Sequence, residues 1–298
     1  MTDAAFRCSA EALSRAEPLF ATASLVSSWL LVEQPGAWGP DALTESRFPA
    51  EIGRELQRRA SGVRILLIRR RTGSDGGPTL FKAHSGSDAL DPVMVSAQFS
   101  GPEELLELDL EGLSRGEVGP GDRVDRPVYF VCTHGRHDIC CADNGRPLYR
   151  AMSDIRPDRT WEVSHLGGDR FAGNLLVLPR GDYFGRVEPD HVDSLVSEYE
   201  KGSLDLARHR GRSIQPRLVQ AAEYFVRESE GLRGFNALSV AVYRRSAGDR
   251  AEVLFDAPGG AVRVHVAARP VSEDPFLTCR ADGPGHPVAY DLVSMARE

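Results

Sequence analysis

A mixed α/β fold is predicted by three features of this chain. Short apolar runs closed by Gly and Pro alternate with stretches of helical period. Within residues 127–199 the runs fall in the order strand, helix, strand, strand, strand, helix, close to the thioredoxin pattern. A last group of short strands follows a single helix at 217–228. The expected fold class is α/β, with a thioredoxin-like core, a preceding α/β unit and a C-terminal α+β module. The expected boundaries are 1–124 for an N-terminal unit of degenerate thioredoxin-like form, 125–202 for the core and 203–298 for the C-terminal module.

With 298 residues, 41% hydrophobic and 27% charged, the chain can bury ample core. A formal net charge of −7, from 36 basic and 43 acidic residues, gives no general attraction to phosphate backbones. Nucleic acid is therefore not an expected partner. Five cysteines in a chain of this size do not make a disulfide framework, and their clustering suits metal or redox chemistry in a reducing compartment. Glu11 and Glu17 stand where a signal peptide would be basic, and residues 19–32 are too short and polar to span a bilayer. A cytoplasmic protein without membrane attachment is expected.

In chain order, a short helix at 8–18 leads to a strand at 24–32, stopped by Gln34-Pro35-Gly36. Ile52 and Leu56 fit a helix over 49–60, and the apolar run 63–68 reads as a strand buried on both faces. Arg69–Arg71 read as a solvated strand end, and Ser74–Pro78 as a turn. Strands follow near 80–83 and 93–99, then a short helix near 105–108 and a glycine-rich stretch, 112–126, that is the candidate boundary. The strand 127–131 delivers Cys132 at its carboxyl end. A helix is read over 145–152, with Pro147 in its first turn. Strands at 161–164, 174–178 and 183–187 precede a helix at 190–199. In the tail, strands are read at 238–243, 252–255, 262–266 and 275–279. No internal repeat is detectable.

The chemistry concentrates between residues 132 and 171, which hold three of the five cysteines and three of the eight histidines. Cys132-x8-Cys141, with Cys140 as the immediate rival of Cys141, supplies thiols. His165-x3-Asp169 supplies an imidazole and a carboxylate within a Gly-Gly loop directly after a strand. A metal needs donors converging from separate segments, each about 2.0–2.3 Å from it. Neighbouring strand ends lie about 4.8 Å apart and can do this. Gly167 and Gly168 permit close backbone approach and positive φ. Taken singly, each cysteine would read as a buried small residue and His165 as a satisfied loop histidine; together they read as a site. A vicinal dithiol at Cys140 and Cys141 is less favoured, because the spacing is not Cys-x-x-Cys. Arg208–Arg212 reads as a solvated loop, with docking of an acidic redox partner as the alternative. Cys8 and Cys279 read as packing residues.

Several segments carry a resemblance: Cys8, then Trp29-Leu-Leu-Val-Glu-Gln-Pro-Gly-Ala-Trp38-Gly; Val131-Cys-Thr-His-Gly-Arg-His-Asp-Ile-Cys-Cys-Ala142; His165-Leu-Gly-Gly-Asp-Arg-Phe-Ala172; Gly211-Arg-Ser213; and Thr278-Cys279. Over nearly its whole length the chain resembles the sucrase/ferredoxin-like family, with fungal relatives among the actin-patches-distal proteins. The resemblance implies a thioredoxin-like ferredoxin that carries a 2Fe-2S cluster on two cysteines and two histidines of a His-x-Gly-Gly-His motif. Carried over, Cys132, Cys141 and His165 are ligands and Cys140 is not. Asp169 stands where the family has its second histidine.

Three outcomes are open at that position: Asp169 ligates, His134 or His137 replaces it, or the cluster is gone and at most zinc occupies Cys132, Cys141, His165 and Asp169. The expected function is 2Fe-2S electron transfer with a redox partner protein. The alternatives are an enzyme reducing a small molecule at the same site, and a cluster-free or zinc-bound binding or structural module.

Overall fold

The computed structural model describes residues 6–70, 77–87, 90–271 and 275–298; Arg71 and most of the turn read at Ser74–Pro78 lie outside them. The elements, in order, are α1 (Cys8–Ser14), β1 (Ser28–Glu33), α2 (Ala50–Arg59), β2 (Val63–Arg69), β3 (Thr79–His84), β4 (Val93–Gln98), α3 (Leu110–Ser114), β5 (Asp122–Arg123), β6 (Val128–Cys132), α4 (Ile139–Ile155), β7 (Thr160–Val163), β8 (Leu175–Leu178), β9 (Asp182–Phe184), α5 (Val192–Glu200), β10 (His209–Arg212), α6 (Arg217–Glu230), β11 (Ser239–Ser246), β12 (Arg250–Ala257), β13 (Gly260–Pro270) and β14 (Val288–Arg297). Among the described residues no helix is long and apolar enough to cross a membrane.

Ten strands form one sheet in the order β10-β9-β8-β6-β7-β2-β1-β3-β4-β5. Its centre is a seam where β2 meets β7 antiparallel through Ile68↔Val163 and Arg69↔Glu162. Read outward from this seam, each half runs second strand, first, third, fourth: β7-β6-β8-β9 on one side and β2-β1-β3-β4 on the other. In both halves the first two strands are parallel and joined by a helix, and the third and fourth are antiparallel. This is the thioredoxin-like strand order, present twice, although the sequence displays no repeat.

Side-chain alternation along the strands explains the layers. Trp29, Leu31, Leu66, Ile68, Val128, Phe130, Cys132 and Val163 enter a core that runs under both halves. Leu30, Val32 and Leu67 face α2, while Tyr129, Val131 and Val177 face α4 and α5. The α+β tail is the four-stranded sheet β11-β12-β13-β14 with α6 packed on one face. Gln220 on α6 ties it to the large sheet, its side chain bonding Ala23, Arg212 and Gln215 main-chain groups.

The structure adds to or departs from the sequence reading at several places. The segment 275–279 is a loop, and the last strand is β14, whose mostly exposed side chains give it little apolar pattern. The stretch 112–126, the candidate boundary, holds the end of α3 and the strand β5, which pairs with β4. Most importantly, α4 starts six residues earlier than read, at Ile139, so Pro147 lies in its middle and not in its first turn. The start is set by Asp138, whose carboxylate accepts the Cys140 N–H at 2.8 Å. Proline at 147 only deprives the Asp143 carbonyl of its helical donor, which the longer helix tolerates.

The helix lies very close to β6. A Cβ built on Gly145 would stand 2.0 Å from the Cys132 carbonyl oxygen, a backbone atom that cannot step aside. Gly145→Ala should therefore push α4 off β6 and destabilise the chain by about 1–3 kcal/mol, measured as a lowered urea midpoint; an unchanged midpoint would contradict this packing.

Candidate metal centre

Cys132 is the last residue of β6 and is buried. The chain turns through 133–138 and enters α4, whose first turn carries Cys140 and Cys141. Consecutive helical residues are about 100° apart around the axis, so neighbouring side chains point to different faces. Cys141 accordingly turns to Cys132 and the shared core, whereas Cys140 joins Cys8 and Cys279. The two thiols thus come from the end of β6 and the start of α4, and the loop of His165 and Asp169 follows the neighbouring parallel strand β7.

The other two expected residues sit in the loop after β7. Gly167 and Gly168 have φ of 93° and 80°, as their positions required. The close approach at Gly168 is to a side chain of the fold: a Cβ there would lie 2.3 Å from an Arg210 guanidinium nitrogen. Arg210 donates from Nη1 to the Gly167 carbonyl at 2.9 Å and to Asn174 Oδ1 at 2.8 Å. Arg64 donates to the His165 carbonyl at 3.0 Å, and Asn174 Nδ2 to the Gly168 carbonyl at 2.8 Å. The sequence reading missed these loop-holding residues. It placed Arg208–Arg212 in a solvated or partner-docking loop, but β10 inserts into the fold and buries His209 and Arg210.

The four expected residues are brought together. Donor atoms of Cys132, Cys141 and His165 lie within 4.8 Å of one another, as do those of His137, His165 and Asp169. Asp169 links the sets: its Oδ1 accepts from the Cys141 thiol at 3.1 Å and lies 2.9 Å from His165 Nδ1. His137 stacks on His165 with ring centroids 3.7 Å apart, its Nε2 3.8 Å from Asp169 Oδ2. His134 is committed elsewhere. Its Nε2 lies 2.6 Å from the Gly39 carbonyl, and its Nδ1 accepts the His165 N–H at 3.3 Å. Of the two histidines considered as replacements, only His137 has a ring facing the centre.

The donor set suits a metal. Asp169 is 1% exposed, yet its Oδ2 is buried without a hydrogen-bond partner, and His165 Nδ1, despite its proximity to Asp169, makes no well-aligned hydrogen bond. Two thiols, an imidazole and a carboxylate around such orphaned atoms fit zinc or iron.

Charge inside the centre is shared unevenly. A hydrogen bond from Cys141, helped by His165, holds the Cys132 thiol well below its usual range against the effect of burial. Cys141 is pushed well above it by that same bond, by burial and by the Asp169 charge. Burial pushes His165 down, but Asp169 and Cys132 outweigh it and raise the imidazole to about 9. Burial pushes Asp169 up, but His165 holds it below the usual carboxylate range. The metal-free centre therefore holds a protonated His165 at neutral pH, and a metal must displace that proton. In metal-free Asp169→Asn, the His165 titration followed by nitrogen NMR should fall from about 9 towards the ordinary value of about 6.5; an unmoved midpoint would refute the pairing.

Altered inheritance of mitochondria protein 32 from Meyerozyma guilliermondii is 29% identical over 95 residues, 28% of this chain and 34% of that protein. The protein of that name from Candida glabrata is 28% identical over 97 residues, 28% of this chain and 31% of that protein. The chain thus spans about a third of the length of the curated relatives it matches. Among solved structures, the thioredoxin-like [2Fe-2S] ferredoxin of Aquifex aeolicus aligns at 19% identity with a TM-score of 0.27, covering 31% of this chain and 97% of that one. The sequence model of the sucrase/ferredoxin-like family matches residues 19–211, taking in both halves of the large sheet and the whole Cys132–Asp169 centre but neither Cys8 nor Cys279. This chain belongs to the sucrase/ferredoxin-like family.

Proposed function

We propose that the chain is an electron-transfer protein whose 2Fe-2S cluster is held by Cys132, Cys141, His165 and Asp169. The observation that carries the reading is that donor atoms of Cys132, Cys141 and His165 lie within 4.8 Å of one another and that Asp169 joins them through Oδ1, its Oδ2 buried without a hydrogen-bond partner. Bound there, the cluster would take up and release single electrons. The protein's part is to keep the donors in place and to shape their surroundings. Arg210 and Arg64 fix the loop of His165 and Asp169, and Gly145 seats α4 against Cys132. The thiols lie on the buried side, while the side chains of His165 and His137 are 27% and 36% exposed. The imidazole edge is therefore the side at which a redox partner protein would exchange electrons. Five free cysteines suit a reducing compartment such as the cytoplasm.

Histidine ligation raises 2Fe-2S potentials to about −150 to +300 mV, against about −400 mV for plant-type all-cysteine ferredoxins. A carboxylate in place of neutral imidazole adds a negative charge beside iron and disfavours the added electron, so the potential should lie towards the lower end. Purified without oxygen, the wild type should contain iron and sulfide in equal amounts; Cys132→Ser and His165→Ala should lose both while Cys140→Ser retains them. A wild type free of iron would end the proposal. Asp169→His should raise the midpoint potential in a redox titration. A fall or no change would exclude Asp169 as a ligand and leave His137, its neighbour, as the fourth donor.

A further inference from the structure

A second convergence of soft donors lies on the opposite side of the α4 N-terminus. Cys8 comes from the start of α1, Cys140 from the first turn of α4, and Cys279 from the loop before β14. Segments up to 271 residues apart in sequence meet here. Cys279 Sγ is 3.4 Å from Cys140 Sγ and 3.6 Å from Cys8 Sγ. Both carboxylate oxygens of Asp138 stand close to Cys8 Sγ, at 3.8 and 3.7 Å. One donor atom from each of the four residues lies within 4.8 Å of all the others. Cys8, Asp138 and Cys140 have no exposed surface.

We propose that Cys8, Cys140 and Cys279, with Asp138 as fourth donor, form a structural zinc site distinct from the centre at Cys132 and Cys141. The spacing is that of a single tetrahedral ion. Zinc–sulfur bonds of about 2.3 Å at the tetrahedral angle separate two sulfurs by about 3.8 Å and a sulfur from a carboxylate oxygen by about 3.5 Å. The Cys279–Cys140, Cys279–Cys8 and Cys8–Asp138 separations lie within a few tenths of an ångström of these values, and the remaining pairs lie within 4.8 Å. Three thiolates select zinc over magnesium or calcium. A disulfide would consume only two of the three sulfurs and leave the third buried beside a carboxylate.

The carboxylate is already oriented for the role. Its Oδ1 accepts the Cys140 N–H at 2.8 Å and its Oδ2 the Cys279 N–H at 2.6 Å, leaving lone pairs on the sulfur side. The Cys8 N–H also donates to Cys279 Sγ at 3.3 Å, as amides around metal-bound thiolates do. On binding, the three thiols release their protons to solvent and no redox change is involved. The ion would clamp the N-terminal arm and the C-terminal loop onto the helix turn that presents Cys141. The Arg7–Asp143 ion pair at 3.0 Å and the Phe6–Phe276 edge contact already hold the same two segments there.

The test is metal analysis of the full chain produced with iron and zinc both supplied. Wild type and Cys132→Ser should each hold about one zinc per chain, and Cys279→Ser should lose it to a chelator more than about 100-fold more readily, since even outer-shell changes cost about 10–100-fold. Because Cys279→Ser could disturb the loop itself, the zinc X-ray absorption spectrum of the wild type provides a second reading. Three sulfurs at about 2.3 Å and one lighter atom are expected. A histidine shell with two sulfurs, zinc that disappears with Cys132, a zinc-free wild type, or a disulfide among Cys8, Cys140 and Cys279 in the purified chain would each overturn the proposal.

Discussion

The Asp138 carboxylate decides where α4 begins, and the disposition of the thiols follows from that. An N-cap of this kind is worth about 0.5–2 kcal/mol, a modest sum, but its geometric consequence is large. With Cys140 and Cys141 fixed in the first turn, their adjacency in sequence becomes a separation in direction. One sulfur enters the core shared with Cys132 and Asp169, and the other joins Cys8 and Cys279. Were the helix to begin at Gly145, both cysteines would sit in a loop and nothing would assign them to different partners. The second carboxylate oxygen meanwhile accepts the Cys279 N–H, so the same cap also fastens the C-terminal loop.

The loop that supplies His165 and Asp169 depends on a buried cation. Arg210 is 2% exposed and, among the described residues, has no paired carboxylate; its guanidinium bonds Thr22 Oγ1, the Thr22 carbonyl, the Gly167 carbonyl and Asn174 Oδ1. Burial lowers its pKa to about 10, which still leaves it charged at neutral pH. Taking such a group out of water is costly unless its protons are matched, and here four oxygens accept four of its five N–H protons. Glycine at 168 is what allows the guanidinium to lie against the backbone, so one of the two glycines that sequence alone tied to a cofactor instead makes room for the arginine.

Much of this was legible in the sequence because it rests on local signals. Strand runs bounded by Gly and Pro located most of the large sheet to within a few residues, and the order 127–199 gave the thioredoxin-like core. The four site residues stood out because cysteine and histidine are rare in this chain, 5 and 8 of 298 residues, and cluster in sequence, with Asp169 picked out by its place beside His165 and the two glycines. What escaped is non-local. Nothing in Arg208–Arg212 signals that β10 will lie against β9 with Arg210 inside, and Cys8 and Cys279 look isolated until the fold closes 271 residues into one contact. The start of α4 was misread for a different reason: Pro147 is a strong helix-start signal, and it outweighed the quieter signal of an Asp two residues before Cys140.

The doubled strand order explains how one half serves the other. At the seam β2 and β7 overlap only by the last two residues of each, so the carboxyl ends of both parallel pairs meet there. In the second half those ends carry Cys132 and the loop of His165 and Asp169. In the first half the corresponding end of β1 continues into Trp38 and Gly39, which offer no metal donor. These residues reach across instead: the Gly39 carbonyl takes the His134 Nε2 proton, and Trp38 meets the His134 ring edge-on. Arg69, from the seam itself, lies 4.0 Å over the Trp38 ring while bonding Glu162 of β7 at 2.8 Å. His134 then receives the His165 N–H, so a chain of contacts runs from the first half to the backbone of a donor residue. Two halves of like topology have thus divided the work, one carrying the cluster of Cys132, Cys141, His165 and Asp169 and the other bracing it. The brace depends on that short overlap, since antiparallel strands paired over their whole length would carry their carboxyl ends past each other to opposite edges.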